Sequence, residues 1–112
     1  MPTAQAEGLP VVRDFTVEAK ESINRQVPIL VLFMSDSCSY CETALHDFLL
    51  PMQRDPEYNN KVILRQVEIS SKDQLIDFNG KITSQSAFAS KHDALMVPTV
   101  ILFDSQGREL TN

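Results

Sequence analysis

The longest unbroken apolar run in this chain of 112 residues extends from Val27 to Met34. Its length is far below the roughly 18 residues that would span a bilayer. Pro28 ends any helix that precedes the run, and the remainder, Ile29 to Met34, is too short for a buried helix. A short continuous apolar segment of this kind is typical of a strand that is covered on both faces. We therefore expect a sheet with other elements packed against both of its sides.

The segments around this strand alternate between helical and extended patterns. Apolar spacing and cap residues predict helices over about 14–26, from near Cys38 to Pro51, and over about 83–92. Branched apolar runs predict strands over 62–69 and 99–103, and the turn at 104–107 returns a strand over 108–111. The polar stretch 70–81 is predicted to be a connection with a turn at Asn79-Gly80. This order predicts an α/β domain with a central mixed sheet and helices on both faces.

Two helices are expected to turn a regular apolar face toward the sheet. Residues spaced at helical intervals define these faces. They are Phe15, Ala19, Ile23 and Val27 in the first helix, and Ala44, Leu45, Phe48, Leu49 and Met52 in the second.

Composition and charge limit the partners of the chain. Fifteen acidic and ten basic residues give a formal net charge of −5. Nucleic-acid-binding proteins normally show a basic footprint, and anionic membrane surfaces attract polybasic clusters, neither of which is present. We therefore expect no nucleic acid partner and no membrane insertion. The length fits one domain, which we place at 14–112, preceded by an N-terminal tail at 1–13 that contains Pro2, Gly8 and Pro10.

The tail also bears on the compartment of the protein. Ala4-Gln5-Ala6 is a small-x-small triplet of the kind that a signal peptidase cuts after. The charged and apolar regions of a signal peptide do not precede it, so we interpret the chain as one from which such a peptide has been removed. This interpretation predicts a periplasmic protein; a polar tail on a cytoplasmic protein is the alternative.

The chain has two cysteines, Cys38 and Cys41, in a C-x-x-C arrangement. The polar residues Ser35-Asp36-Ser37 come between the apolar strand and these cysteines and supply good N-cap residue types. A helix should therefore begin close to Cys38. The first turn of a helix has unpaired amide groups and a positive dipole end, which together stabilise a thiolate.

The spacing of the two cysteines predicts different roles for them. Cys41 lies one helical turn beyond Cys38 on the same face, close enough to form a disulfide and expected to be the more buried. We expect Cys38 to attack a substrate disulfide as the thiolate, and Cys41 to resolve the mixed disulfide. Tyr40, which lies between them, is expected to be exposed and to contact substrate.

Two other interpretations of the cysteines remain open. A zinc site would need His46 and His92, but His46 would point about 140° away from Cys41 on the same helix. His92 has no paired ligand beside it, unlike the clustered ligands of structural zinc sites. A purely structural disulfide would close a very small loop and stabilise the chain little. We predict no metal and no organic cofactor.

The chain resembles the thioredoxin superfamily in several features. These are the apolar strand, the C-x-x-C at a helix start, Pro51 within that helix and Val97-Pro98-Thr99 before a strand, and the resemblance covers about 14–111. It implies a thioredoxin-like fold and an enzyme, a thiol–disulfide oxidoreductase, that acts on protein disulfides through a redox-active disulfide. Electron transfer would connect it to an upstream redox partner protein.

The same resemblance implies roles for two residues far from the cysteines. Pro98 matches a proline that in the superfamily is cis and faces the redox pair. Val97 would then offer its backbone N–H and C=O to an extended substrate. The stretch from Leu75 to Lys81 is most similar to exported bacterial thioredoxin-related proteins, here with a C-S-Y-C motif.

The chain departs from the superfamily pattern at several positions. Ser37 replaces the usual Trp, and Ser39-Tyr40 replaces Gly-Pro. Leu32 stands where thioredoxin keeps a buried carboxylate, and Glu68 is the nearest strand carboxylate that could accept a proton instead. The last helix of the fold is missing, which implies either C-terminal truncation or cover of that sheet face by a homodimer partner. The functional alternatives are a non-catalytic thioredoxin-fold binding module and a small zinc-binding protein.

Overall fold

Helices and strands alternate along residues 8–110, which are the residues that the computed structural model describes. The elements, in chain order, are α1 (Phe15–Arg25), β1 (Ile29–Met34), α2 (Ser39–Ala44), a π-helical turn (Leu45–Leu49), α3 (Leu50–Arg54), α4 (Pro56–Asn59), β2 (Ile63–Glu68), β3 (Gln74–Ile76), β4 (Ile82–Ser84), α5 (Gln85–Lys91) and β5 (Thr99–Phe103). Asp14 caps α1 by accepting the Thr16 N–H, and Ser84 caps α5 by accepting the Ala87 N–H.

The central sheet is mixed, as the sequence predicts. Its strand order is β2-β1-β5, in which β1 and β2 are parallel and β1 and β5 are antiparallel. The parallel pair runs in register from Ile29 opposite Ile63 to Met34 opposite Glu68. β3 and β4 form a separate antiparallel pair.

Both faces of β1 are covered, which confirms the interpretation of its continuous apolar run. Val31 and Phe33 point into a buried cluster that includes Phe15 of α1 and Phe88 of α5. Leu32 and Met34 point into a second buried cluster that includes Cys41 and residues of the π-helical turn. The sheet therefore separates an aromatic core from the core beneath the cysteines.

The predicted buried face of α1 is wrong at Ile23, whose side chain is 62% exposed. The helix instead buries Phe15, Glu18 and Ser22. Two of these are polar and are buried because each has a partner: Glu18 Oε2 accepts from Arg65 Nε at 2.8 Å, and Ser22 Oγ donates to the Val27 carbonyl. Apolar spacing alone did not indicate these partners.

The predicted inward position of Phe48 is also wrong, since this side chain is 64% exposed. The Leu50 N–H bonds to the Leu45 carbonyl, five residues back, and this wider turn shifts the buried face to Leu45, Leu49 and Leu50. Pro51 follows directly and has no N–H to donate, which removes one regular α-helical bond at this place.

The connection predicted over 70–81 contains a strand, β3, that the sequence pattern did not indicate. Leu75 is fully buried, and Asp77 Oδ1 accepts the N–H groups of Asn79 and Lys81, at 2.9 and 3.0 Å. The predicted turn at Asn79-Gly80 is present, with Gly80 at φ +81°. Three-residue strands are too short for a clear alternation.

The first described residues lie along β2. The Val12 N–H donates to the Gln66 carbonyl at 3.1 Å, and the Gln66 N–H donates to the Pro10 carbonyl at 3.0 Å. Thus the part of the predicted tail from Gly8 to Arg13 is attached to the sheet, while Ala4-Gln5-Ala6 lies outside the described residues. At the other end, the Leu110 N–H donates to the Leu102 carbonyl, so the return after the turn pairs with β5.

Candidate redox site

Three separate chain segments meet at one end of the central sheet. Met34 ends β1 and pairs with Glu68 at the end of β2, while Phe33 pairs with Thr99 at the start of β5. Because β5 runs antiparallel to β1, the residues before Thr99 and the residues after Met34 emerge at the same end. The cysteine loop, the Val97-Pro98 segment and Glu68 are thereby brought together.

The cysteines form a disulfide at the start of α2. Cys38 is itself the N-cap, in an extended conformation, so the cap is not one of the three residues before it that the sequence suggested. The Cys41 N–H donates to Cys38 Sγ at 3.1 Å, and the two Cα atoms are 5.2 Å apart. A backbone amide of the first helical turn thus points at the sulfur that we expect to attack.

The two sulfurs differ in their access to solvent. Cys41 is fully buried in the cluster beneath the sheet end, whereas Cys38 is half-buried and packs against that cluster from outside. Ser37, just before, has a left-handed backbone with φ +62°, and Ser37 and Ser39 on either side of Cys38 are exposed. An incoming sulfur can therefore reach Cys38 more easily than Cys41.

The residues expected to bind substrate lie around this disulfide. The Val97–Pro98 peptide bond is cis, and both residues are half-buried. Val97 packs against the same buried cluster as Cys38. Tyr40 is 77% exposed beside the disulfide. The structure brings these residues together; their roles in binding stay predictions.

Glu68 is the carboxylate with an altered environment at this end of the sheet. Alternation along β2 puts it on the same face as Leu64, which belongs to the cluster around Cys41. Its pKa is raised above the usual range, first because burial disfavours the charged form and second because Asp36 carries a negative charge nearby. The sequence did not predict that Asp36 would affect Glu68. The two residues are far apart in the chain and come close because Met34, two residues before Asp36, pairs with Glu68.

Each histidine has a carboxylate within hydrogen-bond distance. His46 Nε2 lies 3.0 Å from Glu42 Oε1. His92 Nδ1 lies 2.9 Å from Glu109 Oε2, and its ring packs against Phe88 and Phe103. Within residues 8–110 no group of three or more potential ligands is arranged to hold a metal ion, so these residues lend no support to the zinc alternative. Nor is any helix in this range long and apolar enough to cross a bilayer.

Comparison with known proteins gives a family and a fold. A family model described as a thioredoxin-like domain matches residues 15–112. A thioredoxin-fold protein from Helicobacter pylori is 21% identical with a TM-score of 0.62, and the match covers 76% of this chain and 57% of that one. A structure described as DsbH Oxidoreductase is 14% identical with a TM-score of 0.57, covering 95% of this chain and 74% of that one. At these identities the two structures support the fold alone.

The chain therefore spans little more than half of the Helicobacter pylori chain that it resembles. No curated protein sequence matches it.

Proposed function

We propose that this chain, which belongs to the thioredoxin-like domain family, is a thiol–disulfide oxidoreductase that acts on protein disulfides. The observation that carries the proposal is the disulfide between a half-buried Cys38 at a helix start and a fully buried Cys41. A buried structural disulfide would need no such difference in access. Thioredoxin-fold oxidoreductases generally act on protein thiols together with redox partners, which fits a pair with one reachable sulfur.

The reductive half of the reaction starts from the dithiol. The Cys38 thiolate attacks one sulfur of the substrate disulfide, whose S–S bond breaks, and the departing thiolate takes up a proton. Cys41 then loses its proton and attacks Cys38 Sγ, which releases the second substrate thiolate. Two electrons pass to the substrate, and the chain is left with the Cys38–Cys41 disulfide. A partner dithiol protein restores the starting state, and the reverse sequence oxidises a substrate.

Val97, Pro98 and Tyr40 are the residues that we propose to hold the substrate. Val97 and Cys38 pack against one cluster, so a substrate strand that pairs with the Val97 backbone would present its sulfur close to Cys38. Tyr40 is exposed beside the same disulfide and offers an aromatic surface.

Glu68 is the residue that we propose to accept the proton of Cys41. It lies on the cysteine face of β2, and its pKa is raised by burial and by the nearby Asp36, which makes it a stronger proton acceptor than an ordinary carboxylate. In the variant Glu68→Gln we expect the pH dependence of insulin reduction to lose one titration, while Glu57→Gln, an exposed carboxylate on α4, should leave the pH profile as it is. An unchanged profile in Glu68→Gln would assign the proton to another group.

The periplasm is the compartment that we propose, on the basis of the Ala4-Gln5-Ala6 triplet. A structural neighbour described as an oxidoreductase agrees with the redox role. The domain boundary at residue 14 and a homodimer remain predictions.

The decisive experiment measures insulin disulfide reduction with dithiothreitol as electron donor. We expect Cys38→Ser and Cys41→Ser each to reduce the catalysed rate by about 100-fold or more, because a single thiol cannot complete the exchange. Ser90→Ala, exposed on α5, serves as the control with unchanged rate. Full activity in both cysteine variants would favour the non-catalytic binding module.

The division of roles between the cysteines has its own test. Cys41→Ser should trap a mixed disulfide with substrate through Cys38, and Cys38→Ser should not. The opposite pattern would exchange the two roles. An equilibrium titration against glutathione then places the couple within the roughly −270 to −120 mV of related proteins, and so distinguishes a reductant from an oxidant.

A further inference from the structure

Large apolar side chains are exposed around the sheet end that carries the disulfide. Tyr40 lies between the cysteines, while Leu95 and Met96, 67% and 82% exposed, come directly before Val97. Val97 anchors this segment to the cluster that Cys38 also contacts. Exposed apolar groups in the two segments that meet at this disulfide form a surface that a partner can cover.

The three segments that surround the disulfide carry charged side chains of one sign only. Residues 35–45, 66–71 and 93–99 hold the carboxylates of Asp36, Glu42, Glu68 and Asp93, and no Lys or Arg. Glu42 faces His46 at 3.0 Å. Among the described residues, Asp36 and Asp93 take part in no ion pair, and neither does Lys72, which follows the second segment.

The carboxylates at this end of the sheet also affect one another. The negative charge on Asp36 contributes to the raised pKa of Glu68, after the larger effect of burial. Asp36 and Glu68 are therefore close enough to repel, and among residues 8–110 neither carboxylate forms an ion pair with a Lys, Arg or His. A positive charge from outside would offset this repulsion.

We infer that the redox site selects cysteine-containing polypeptide segments that carry basic and apolar side chains beside the disulfide. This inference rests on the proposed function and specifies its substrate class. Asp36 and its neighbouring carboxylates attract the basic side chains, and Met96 and Tyr40 cover the apolar ones. A surface whose charged side chains are carboxylates favours a cationic partner over an anionic one.

The same charges influence the chemistry of the first step. Carboxylates oppose the negative charge of an attacking Cys38 thiolate, and a basic side chain on the bound substrate would offset them. A cationic segment would thus both dock more readily and favour the reactive form of Cys38. The exchange remains balanced as described above: two electrons leave the dithiol, and the substrate disulfide becomes two thiols.

The test uses two synthetic disulfide peptides that differ only in having Lys or Glu beside the cysteine. Protein that has been reduced and freed of reductant is mixed with each peptide, and the second-order rate constant for peptide reduction is measured at 20 mM and 500 mM NaCl. We expect the Lys peptide to react about tenfold faster at low salt, since steering of this kind reaches such factors. The ratio should shrink at high salt, where exposed charges are screened.

Matched variants assign the effect to this site. Asp36→Asn should lower the Lys-to-Glu ratio, whereas Glu57→Gln, which makes the same charge change at the opposite end of the sheet, should leave the ratio unchanged. Met96→Ser should slow both peptides by a common factor, and an unchanged rate there would remove the apolar part of the inference.

The outcomes separate the two proposals. Equal rate constants for the two peptides, or a faster Glu peptide, would overturn the selection of basic segments and leave the oxidoreductase function intact. If reduced protein with two titratable thiols reduces neither peptide, and the disulfide form oxidises the dithiol form of neither, the oxidoreductase function fails and the selectivity fails with it.

Discussion

Glu68 is a carboxyl group whose neutral, protonated form is favoured by the folded structure. It ends β2 beside Met34, half-buried, on the face of the sheet that carries the cysteines. Its pKa is raised in the folded chain, so ionisation of this carboxyl opposes folding. The stability that the protonated form contributes is present below the unfolded pKa and is lost as the pH rises through the folded pKa.

This sign leads to a prediction about stability. Glu68→Gln should raise the free energy of unfolding at pH 7, where the native carboxylate is penalised, and change it little at pH 4, where the carboxyl is largely protonated in both states. Urea denaturation at the two pH values measures the difference. Glu57→Gln is the control, with little change at either pH, and an equal gain for Glu68→Gln at both values would contradict the account.

At the scale of elements, local hydrogen bonds decide where the helices begin. Asp14 Oδ1 accepts the Thr16 N–H at 2.9 Å at the start of α1. The middle of the cysteine helix is decided differently, since its π-helical turn precedes a proline and redirects Phe48 to solvent. A helix cap depends on residues close by in the sequence. The π-helical turn also depends on which leucine side chains pack against the sheet, here Leu45, Leu49 and Leu50.

The cap of α1 can be tested by removing its acceptor. Asp14→Ala should lower the free energy of unfolding by about 1 kcal/mol, because the first-turn amide loses its partner. Chemical denaturation of the oxidised protein measures this loss. Asn24→Ala, exposed on the same helix, should cause no loss. Equal stability of the two variants would show that the cap contributes nothing.

At the scale of the whole molecule, the aromatic core packs on one face of the central sheet and the cysteines lie on the other. Phe15 stacks on Phe78 and Phe88 with centroid distances of 4.4 and 4.6 Å, and it also meets Phe103 at 6.2 Å. This aromatic group joins α1, the segment after β3, α5 and β5. The disulfide lies in the other cluster.

Removing the central ring should therefore destabilise the protein without altering the site directly. Phe15→Ala should lower the free energy of unfolding by about 3–5 kcal/mol, and Phe15→Leu by less. Ile23→Ala, on the exposed side of the same helix, should change it by about 0.5 kcal/mol or less. Denaturant titration measures all three. Folded Phe15→Leu should keep normal insulin reduction; a slower rate would show that the two faces are coupled.

Much of the fold could be predicted because its signals are local. The apolar run predicted β1 with its observed bounds. The cap residue Asp14 predicted the start of α1, and the sequence pattern over 83–92 predicted α5 to within a few residues. The cysteine spacing predicted the disulfide and the more buried position of Cys41. β3 was missed because its pattern is too short. Ile23 was misplaced because Glu18, paired with the distant Arg65, and Ser22, bonded to the Val27 carbonyl, occupy the buried face.

Sequence by itself determined that a buried strand leads into a helix that begins at a cysteine pair, since short-range sterics and amide hydrogen bonding decide such features. Only the tertiary structure decided what surrounds that pair. Glu68, Asp36 and Val97 come together because β1 pairs with β2 on one side and β5 on the other. Those pairings depend on packing two cores at once, and no single segment carries that information.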